Sequence, residues 1–357
     1  MGNDGFSPEF KSKLVFAEKL TPSKGPDLFR PEKSLLVFDR RLLKVSREFS
    51  LWSRRFPFQY AVDSGEGLKD LRSFPAHVAK LGRQAEGLSP RDMTVVAVGG
   101  GSVGDFAGFF ASTYKRGVDL MHVPSTWLAA IDSSHGGKTA LNVSGAKNQI
   151  GTFYPASHVV LVRSLLETQP AIRVAEAMGE LGKIALLDGG SWVKELENTS
   201  LEGASVLWEF LKHAIRAKMK VVLRDPYEKS GERQILNLGH TMGHVFEAAY
   251  GVAHGQAVAQ GLFFAIEFSE HVGLLREKTT ERAMRLLSER LGLYPQRPRR
   301  KLSAAEFYEL LLKDKKRAGV DQVTFVFIRG FGKPVRAVVN AVDLLSEAGR
   351  QGWVEDR

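Results

Sequence analysis

Cysteine is absent from all 357 residues. That excludes disulfide frameworks, thiolate zinc sites, iron–sulfur clusters and cysteine nucleophiles together, so any metal here must sit on His, Asp or Glu. It also fits a reducing compartment. Long apolar runs are missing as well, none approaching the ~20 residues that span a bilayer. The opening Met1-Gly2-Asn3-Asp4-Gly5-Phe6-Ser7-Pro8 has neither the basic nor the apolar region of a secretory signal. The expectation is a cytoplasmic protein with no membrane partner. Internal repeats and low-complexity tracts are lacking too, which excludes solenoids and disordered scaffolds. What remains is ordinary globular material, 43% hydrophobic and 25% charged, with room for roughly two domains of ~150 residues.

Charge narrows the partners. Lys and Arg number 50 against 40 Asp and Glu, a formal net charge of +10. The densest basic groups, Arg297-Pro298-Arg299-Arg300-Lys301 and Lys313-Asp314-Lys315-Lys316-Arg317, interleave no aromatics and match no nucleic-acid module. They read as solvated faces, with no nucleic-acid partner. A small phosphorylated or carboxylated substrate accounts better for the surplus.

Apolar runs alternate with helical stretches in the first half. Ser34–Phe38, Phe58–Val62 and Thr94–Val98 read as strands, with a helical pattern from about Leu68 to Glu86 before the third. The alternation predicts a parallel α/β sheet. After a strand-like Val159–Val162 the character changes to long helical periodicity from about Ile172, interrupted late by a strand at Gln322–Ile328. The boundary falls near residue 170, giving domains over 1–170 and 171–357.

Two segments of the first half invite a ligand. Gly99, Gly101 and Gly104 follow the third strand with the spacing G-x-G-x-x-G and open a helical segment, Phe106–Tyr114. Glycine lets a phosphate approach the backbone, and amides at a helix start point at the anion. A tight turn with no ligand fits the same pattern. No clear acidic partner follows at the expected ~20 residues downstream of such a loop, since Asp119 sits too near and in a different context; acids at strand ends lie upstream instead, at Asp39 and Glu66. The second segment, Pro124–Asn148, alternates Asp132, Lys138, Lys147 and Asn148 with small residues between apolar flanks. Those flanks favour a lined pocket over an open loop.

The sharpest signal is Gly231–Glu247. At about 100° per residue, Arg233, Asn237, His240 and His244 fall within about 60° of one another on a helix, with Glu247 at the edge of the stripe. Apolar residues fill the other faces, so the stripe is expected to face a polar cavity. His254 follows past a turn at Tyr250-Gly251, and Glu180 and Lys183 lie one turn apart on another helix. Three such ligands with one open position suit catalytic zinc. A pair of core histidines bonded to backbone carbonyls fits the local pattern equally.

Together these segments resemble the 3-dehydroquinate synthases, within the wider group of sugar-phosphate cyclases, from about Leu35 to Gly330. The matched pieces are Gly-Glu-x-x-Lys at 65–69, Gly-Gly-Gly-x-x-Gly-Asp at 99–105, Tyr-x-Arg-Gly at 114–117, Asp-Ser-Ser-x-Gly-Gly-Lys-Thr at 132–139 and Lys-Asn-x-Ile-Gly at 147–151. Glu-x-x-Lys at 180–183, Arg-x-x-Leu-Asn-x-Gly-His-Thr-x-Gly-His at 233–244, His-Gly at 254–255 and Asp-Lys-Lys at 314–316 complete them.

The resemblance implies an α/β fold, with a Rossmann-like NAD-binding domain followed by a mostly helical metal- and substrate-binding domain. It implies Zn²⁺, or Co²⁺ as a substitute, on Glu180, His240 and His254. It places NAD on Asp39, Glu66, Lys69, Gly100, Gly101, Asp105, Ser125, Thr126, Lys147 and Thr168. Around an anionic sugar-phosphate substrate it puts Asp132, Lys138, Asn148, Lys183, Lys218, Glu228, Arg233, Asn237, His244 and Lys315. Arg116 would reach the phosphate across a homodimer interface. A family member oxidises a hydroxyl of 3-deoxy-arabino-heptulosonate 7-phosphate with NAD, eliminates phosphate, reduces the ketone, opens the ring and closes a carbocycle in an aldol addition. The chain departs from the family pattern at several places. It has one extra residue between Glu228 and Arg233, Ile172-Arg173 for Arg-Glu, Ser125 for threonine, Gln256 for glutamate, and His135 for a small apolar residue.

Overall fold

The computed structural model describes residues 10, 12–20, 28–296, 298, 300–313 and 321–355. Two compact units divide the chain, Met1–Arg173 and Val174–Arg357.

The first unit is built on strands β1 (Lys13–Ala17), β2 (Ser34–Asp39), β3 (Phe58–Val62), β4 (Thr94–Gly99), β5 (Asp119–Pro124) and β8 (His158–Val162), with a hairpin of β6 (Lys138–Val143) and β7 (Ala146–Phe153). The first six form one parallel sheet in the order β1-β8-β5-β4-β2-β3. Helices α1 (Leu42–Val45), α2 (Arg47–Ser53), α3 (Phe74–Gln84) and α4 (Gly101–Thr113) lie between them in the chain, and α5 (Arg163–Leu166) follows β8. β2 and β4 are buried at every position, which is why they read as unbroken apolar runs rather than alternating ones. Leu36, Phe38, Val96, Val98, Val123 and Val160 pack one sheet face against Phe49, Trp52 and Phe56. Chain order reverses across β2: β3 lies on one side and β4 on the other, so a crevice opens at the carboxyl ends of β2 and β4.

Three features depart from the sequence reading. β1 is absent from the strands expected above, and its partner is β8, with Lys13 opposite His158. β5 was not foreseen, because Asp119 and His122 break its apolar run. The helix expected over 68–86 is a 3₁₀ turn at Glu66–Lys69 followed by α3; between them, Asp70 bridges to Asn142 on the hairpin.

The second unit holds helices α6 (Ala171–Asp188), α7 (Ser191–Asn198), α8 (Ala204–Val222), α9 (His240–Tyr250), α10 (His254–His271), α11 (Glu277–Arg285), α12 (Ala304–Lys313) and α13 (Ala341–Arg350). The expected strand at Gln322–Ile328, β9, pairs antiparallel with β10 (Pro334–Asn340), which the sequence reading lacked. The single helix expected through 233–247 is not formed. A 3₁₀ turn at Glu232–Asn237 ends at Leu238, Gly239 takes φ 78°, and α9 starts afresh at His240. The cause is packing: a Cβ on Gly261 of α10 would lie 1.8 Å from the Gly239 carbonyl oxygen. Only glycine at both places allows that approach, and the turn at 239 is its price in helical continuity. Among the described residues no helix is long and apolar enough to cross a membrane.

Candidate functional site

The crevice of the first unit gathers a connected polar network. Asp39 ends β2 and accepts hydrogen bonds from the Arg41 amide (3.0 Å), the Arg41 guanidinium (3.0 Å) and Ser64 Oγ (2.8 Å). Burial alone would raise the Asp39 carboxyl, but the bonds from Arg41 and Ser64 outweigh it and hold it below its ordinary value. Gly100 caps α4, and the amides of Val103 and Gly104 donate to its carbonyl. Cβ atoms at Gly100 and Gly101 would meet Thr126 and Ser133 at 3.2 and 3.1 Å, so the glycine loop lies against the segment after β5. Ser125 is buried there, its amide donating to the Gly99 carbonyl.

Lys69 ties this crevice to the hairpin. Its buried Nζ lies 2.6 Å from Asp105 Oδ2 on α4 and donates to Asn148 Oδ1 at 2.6 Å. Burial pushes the Asp105 carboxyl up to about 6, against the pull of Lys69 and with a further push from Glu66. Asn142, a residue the sequence reading did not single out, completes the link. Its Nδ2 donates to Glu66 Oε2 (2.7 Å) and its Oδ1 accepts the Asn148 amide (2.9 Å), with Asn148 held at φ 54°. A positive φ on a non-glycine residue needs such over-determination. Thus Glu66, Lys69, Asp105 and Asn148 are brought together. Lys138 and Lys147 lie exposed on the hairpin, and Asp132 is half-buried in the turn before it. Thr168 Oγ1 donates to the Leu165 carbonyl, and Arg116 is exposed at φ 70° after Lys115 at φ 51°.

In the second unit, α6, α9 and α10 converge on one cluster. Ligand atoms of Glu180, His240 and His254 all lie within 4.8 Å of one another. Glu180 is 2% exposed, with Oε2 ion-paired to the equally buried Lys183 Nζ at 2.5 Å and Oε1 3.5 Å from His240 Nε2. The latter separation is long for a hydrogen bond, so carboxylate and imidazole face one another with room for a cation. A set of one carboxylate and two imidazoles suits Zn²⁺ or Co²⁺, and the residues fit such an ion. His244 is a near neighbour, its ring centroid 5.8 Å from that of His240 and 6.0 Å from that of His254, yet it stands outside the set. The close seat of α10 explains why His254 belongs: a Cβ on Gly255 would meet the Glu176 carbonyl of α6 at 2.4 Å.

Elsewhere in this unit Lys218 is buried on α8, and the turn carrying Arg233 and Asn237 packs against that helix. Asp225 organises the loop with the extra residue: its carboxylate accepts the amides of Lys229 (2.7 Å), Ser230 (3.2 Å) and Arg233 (3.2 Å). Glu228 sits in that loop at φ 56°, and buried Arg233 donates from Nη1 to the Pro226 carbonyl at 2.8 Å. Asp225 was also missed by the sequence reading, since nothing local marks a loop carboxylate as the acceptor of three later amides. Lys315 lies outside the described residues.

Family models for the N-terminal and C-terminal parts of 3-dehydroquinate synthase match residues 59–176 and 177–317. The chain belongs to the 3-dehydroquinate synthase family. It is 38% identical to the 3-dehydroquinate synthase of Acidithiobacillus ferrooxidans over 252 residues, 69% of this chain and 68% of that one. With the enzyme of Methylacidiphilum infernorum it shares 34% identity over 310 residues, covering 85% and 84% of the two chains. Among solved structures, 2-deoxy-scyllo-inosose synthase complexed with carbaglucose-6-phosphate, NAD⁺ and Co²⁺ superposes with a TM-score of 0.78 at 28% identity, over 95% of this chain and 96% of that one. The two-unit α/β architecture is therefore that of the sugar-phosphate cyclases.

Proposed function

We propose that this member of the family is itself a 3-dehydroquinate synthase, a phosphorus–oxygen lyase converting 3-deoxy-arabino-heptulosonate 7-phosphate to 3-dehydroquinate and phosphate. The observation that carries the reading is the meeting of Glu180, His240 and His254 within 4.8 Å, beside buried Lys183. NAD is held in the first unit by Asp39, Glu66, Lys69, Gly100, Gly101, Asp105, Ser125, Thr126, Lys147 and Thr168. Zn²⁺, or Co²⁺ in its place, is held in the second unit by Glu180, His240 and His254. When bound, the ion supplies Lewis-acid stabilisation of a substrate oxygen, and NAD supplies a hydride acceptor that turnover regenerates.

The remaining chemistry belongs to side chains. Lys138, Asn148 and Lys315 neutralise the departing phosphate, and Lys218 and Arg233 hold the carboxylate, the guanidinium bidentately. Asp132, Lys183, Glu228, Asn237 and His244 orient the substrate, and Arg116 acts across a homodimer interface. A substrate with no carboxylate would leave Lys218 and Arg233 without their anion, which favours the heptulosonate.

The test is phosphate release from 3-deoxy-arabino-heptulosonate 7-phosphate with NAD and Zn²⁺ or Co²⁺. Phosphate is expected without net NADH; NADH accumulating without phosphate would instead mark a polyol dehydrogenase. A second reading keeps the chemistry and changes the sugar. The likeness to an enzyme crystallised with carbaglucose-6-phosphate motivates it, and release of phosphate only from an amino analogue or from sedoheptulose 7-phosphate would establish it.

A further inference from the structure

Glu247 has no part in the reading above, yet its place is specific. It lies on α9 seven positions after His240, two helical turns on, and so on the same face. Gly251, at φ 63°, ends that helix, and the chain turns back to start α10 at His254. The reversal brings the first side chain of α10 against the last turn of α9, and His254 Nδ1 meets Glu247 Oε2 at 2.8 Å. His240 is handled in a similar way: its Nδ1 lies 3.2 Å from the Leu238 carbonyl. Each imidazole thus has its Nδ1 engaged by an oxygen of the chain; His240 Nε2 lies 3.5 Å from Glu180 Oε1, and in His254 Nε2 is the nitrogen that Glu247 leaves available.

We infer that Glu247 is a positioning residue for the metal centre, fixing His254 as the Nδ1–H tautomer so that Nε2 is the ligating atom. The inference rests on the metal reading above. A carboxylate accepting Nδ1–H holds the ring plane and raises the basicity of the opposite nitrogen, and removing such a partner costs about 10- to 100-fold in metal affinity. Glu247 differs in kind from the Leu238 carbonyl, because its negative charge adds to that of Glu180 opposite a divalent cation. His254 needs the stronger tether: its side chain is 38% exposed, against 13% for His240, and packing constrains it less.

The experiment is Co²⁺ titration of full-length protein stripped with chelator. It is followed by the visible ligand-field band and by competition with a chelator of known affinity, for the native chain, E247A, E247Q, H254A and the double variant H254A/E247A. E247A is expected to bind Co²⁺ about 10- to 100-fold more weakly with an altered band, and E247Q, which keeps an acceptor without the charge, to lose less. In the H254A background the E247A change is expected to cost nothing further, because the role inferred for Glu247 runs through that ring. Circular dichroism and the melting point of the stripped proteins establish that E247A folds, and E247Q carries the test if it does not. Equal Co²⁺ affinity in E247A and the native chain overturns the inference while leaving the metal site standing. So does an undiminished E247A effect in the H254A background, which would make Glu247 a ligand itself. A native chain that binds no Co²⁺ overturns the metal reading and this inference together.

Discussion

At the scale of single residues, burial decides what a titratable group can do. His122 on β5 is 8% exposed, and burial pushes its imidazole down to about 4. The unfolded chain takes a proton there near pH 6.5 and the folded chain does not. Stability contributed by the neutral ring is therefore complete above that pH and is lost as pH falls from about 6.5 to 4, by up to ~3 kcal/mol. His122→Gln should flatten that part of the acid limb. Urea midpoints at pH 7 and pH 4.5 check it, and an unchanged pH loss in the variant would reject the assignment. The histidine cluster divides by geometry instead, His254 inside the set that could hold a metal and His244 outside it. His254→Ala is expected to weaken metal binding so far that the protein carries none as purified, with residual Co²⁺ affinity seen only on titration, and to abolish turnover, whereas His244→Ala should keep its metal and lose turnover. Metal analysis of both purified variants, set beside phosphate release, distinguishes ligand from substrate-facing residue.

Elements place these residues by how closely they can approach. The crossing of α9 and α10 depends on Gly261, where an added Cβ would lie 1.8 Å from the Gly239 oxygen. Gly261→Ala must push the helices apart, at an expected cost of about 3 kcal/mol and with loss of metal affinity, because His240 and His254 ride on the two helices. Gly349→Ala on α13 is the matched control, since nothing lies within 4 Å of its Cβ position. It should leave stability unchanged or raise it by up to ~1 kcal/mol through helix propensity. Thermal melts of the two variants with and without Zn²⁺ make the comparison. A G261A protein with native stability and metal binding would show that the crossing tolerates a methyl group. The hairpin β6–β7 works by another device, with Asn142 pinning Asn148 at φ 54° and Lys69 holding its side chain.

On the scale of the whole molecule, the proposed cofactors divide between the units. All three proposed metal ligands lie in 174–357, and all ten residues proposed for the nucleotide in 1–173. Ligand at 100 times its Kd stabilises what it binds by about 2.7 kcal/mol. Hydrogen exchange is therefore expected to slow on α6, α9 and α10 when Zn²⁺ is added, and around β4 and α4 when NAD is added alone. Removing the metal with chelator should reverse only the first set. Protection of β4 and α4 by Zn²⁺ alone would overturn this division. The formal charge of +10 belongs to this scale too: it favours anionic ligands generally without choosing among them.

Much of this was legible in one dimension. Ser34–Phe38, Thr94–Val98 and Val159–Val162 announce buried parallel strands because a sheet covered on both faces leaves no polar alternation. The glycines at 99–104 announce a strand-to-helix turn because few other residues accept it. The family motifs carried the candidate residues by type and spacing. Those signals are local, and local sequence reports on a backbone's own preferences. Other features were not legible: the pairing of β1 with β8, the break at Gly239, Asn142 joining Glu66 to Asn148, Asp225 gathering three amides, and Glu247 bonded to His254. Each is a contact between segments whose separate patterns favour something else or nothing in particular. Which imidazoles meet Glu180 was decided by helices closing to glycine distance, a packing energy that exists only once distant parts of the chain touch.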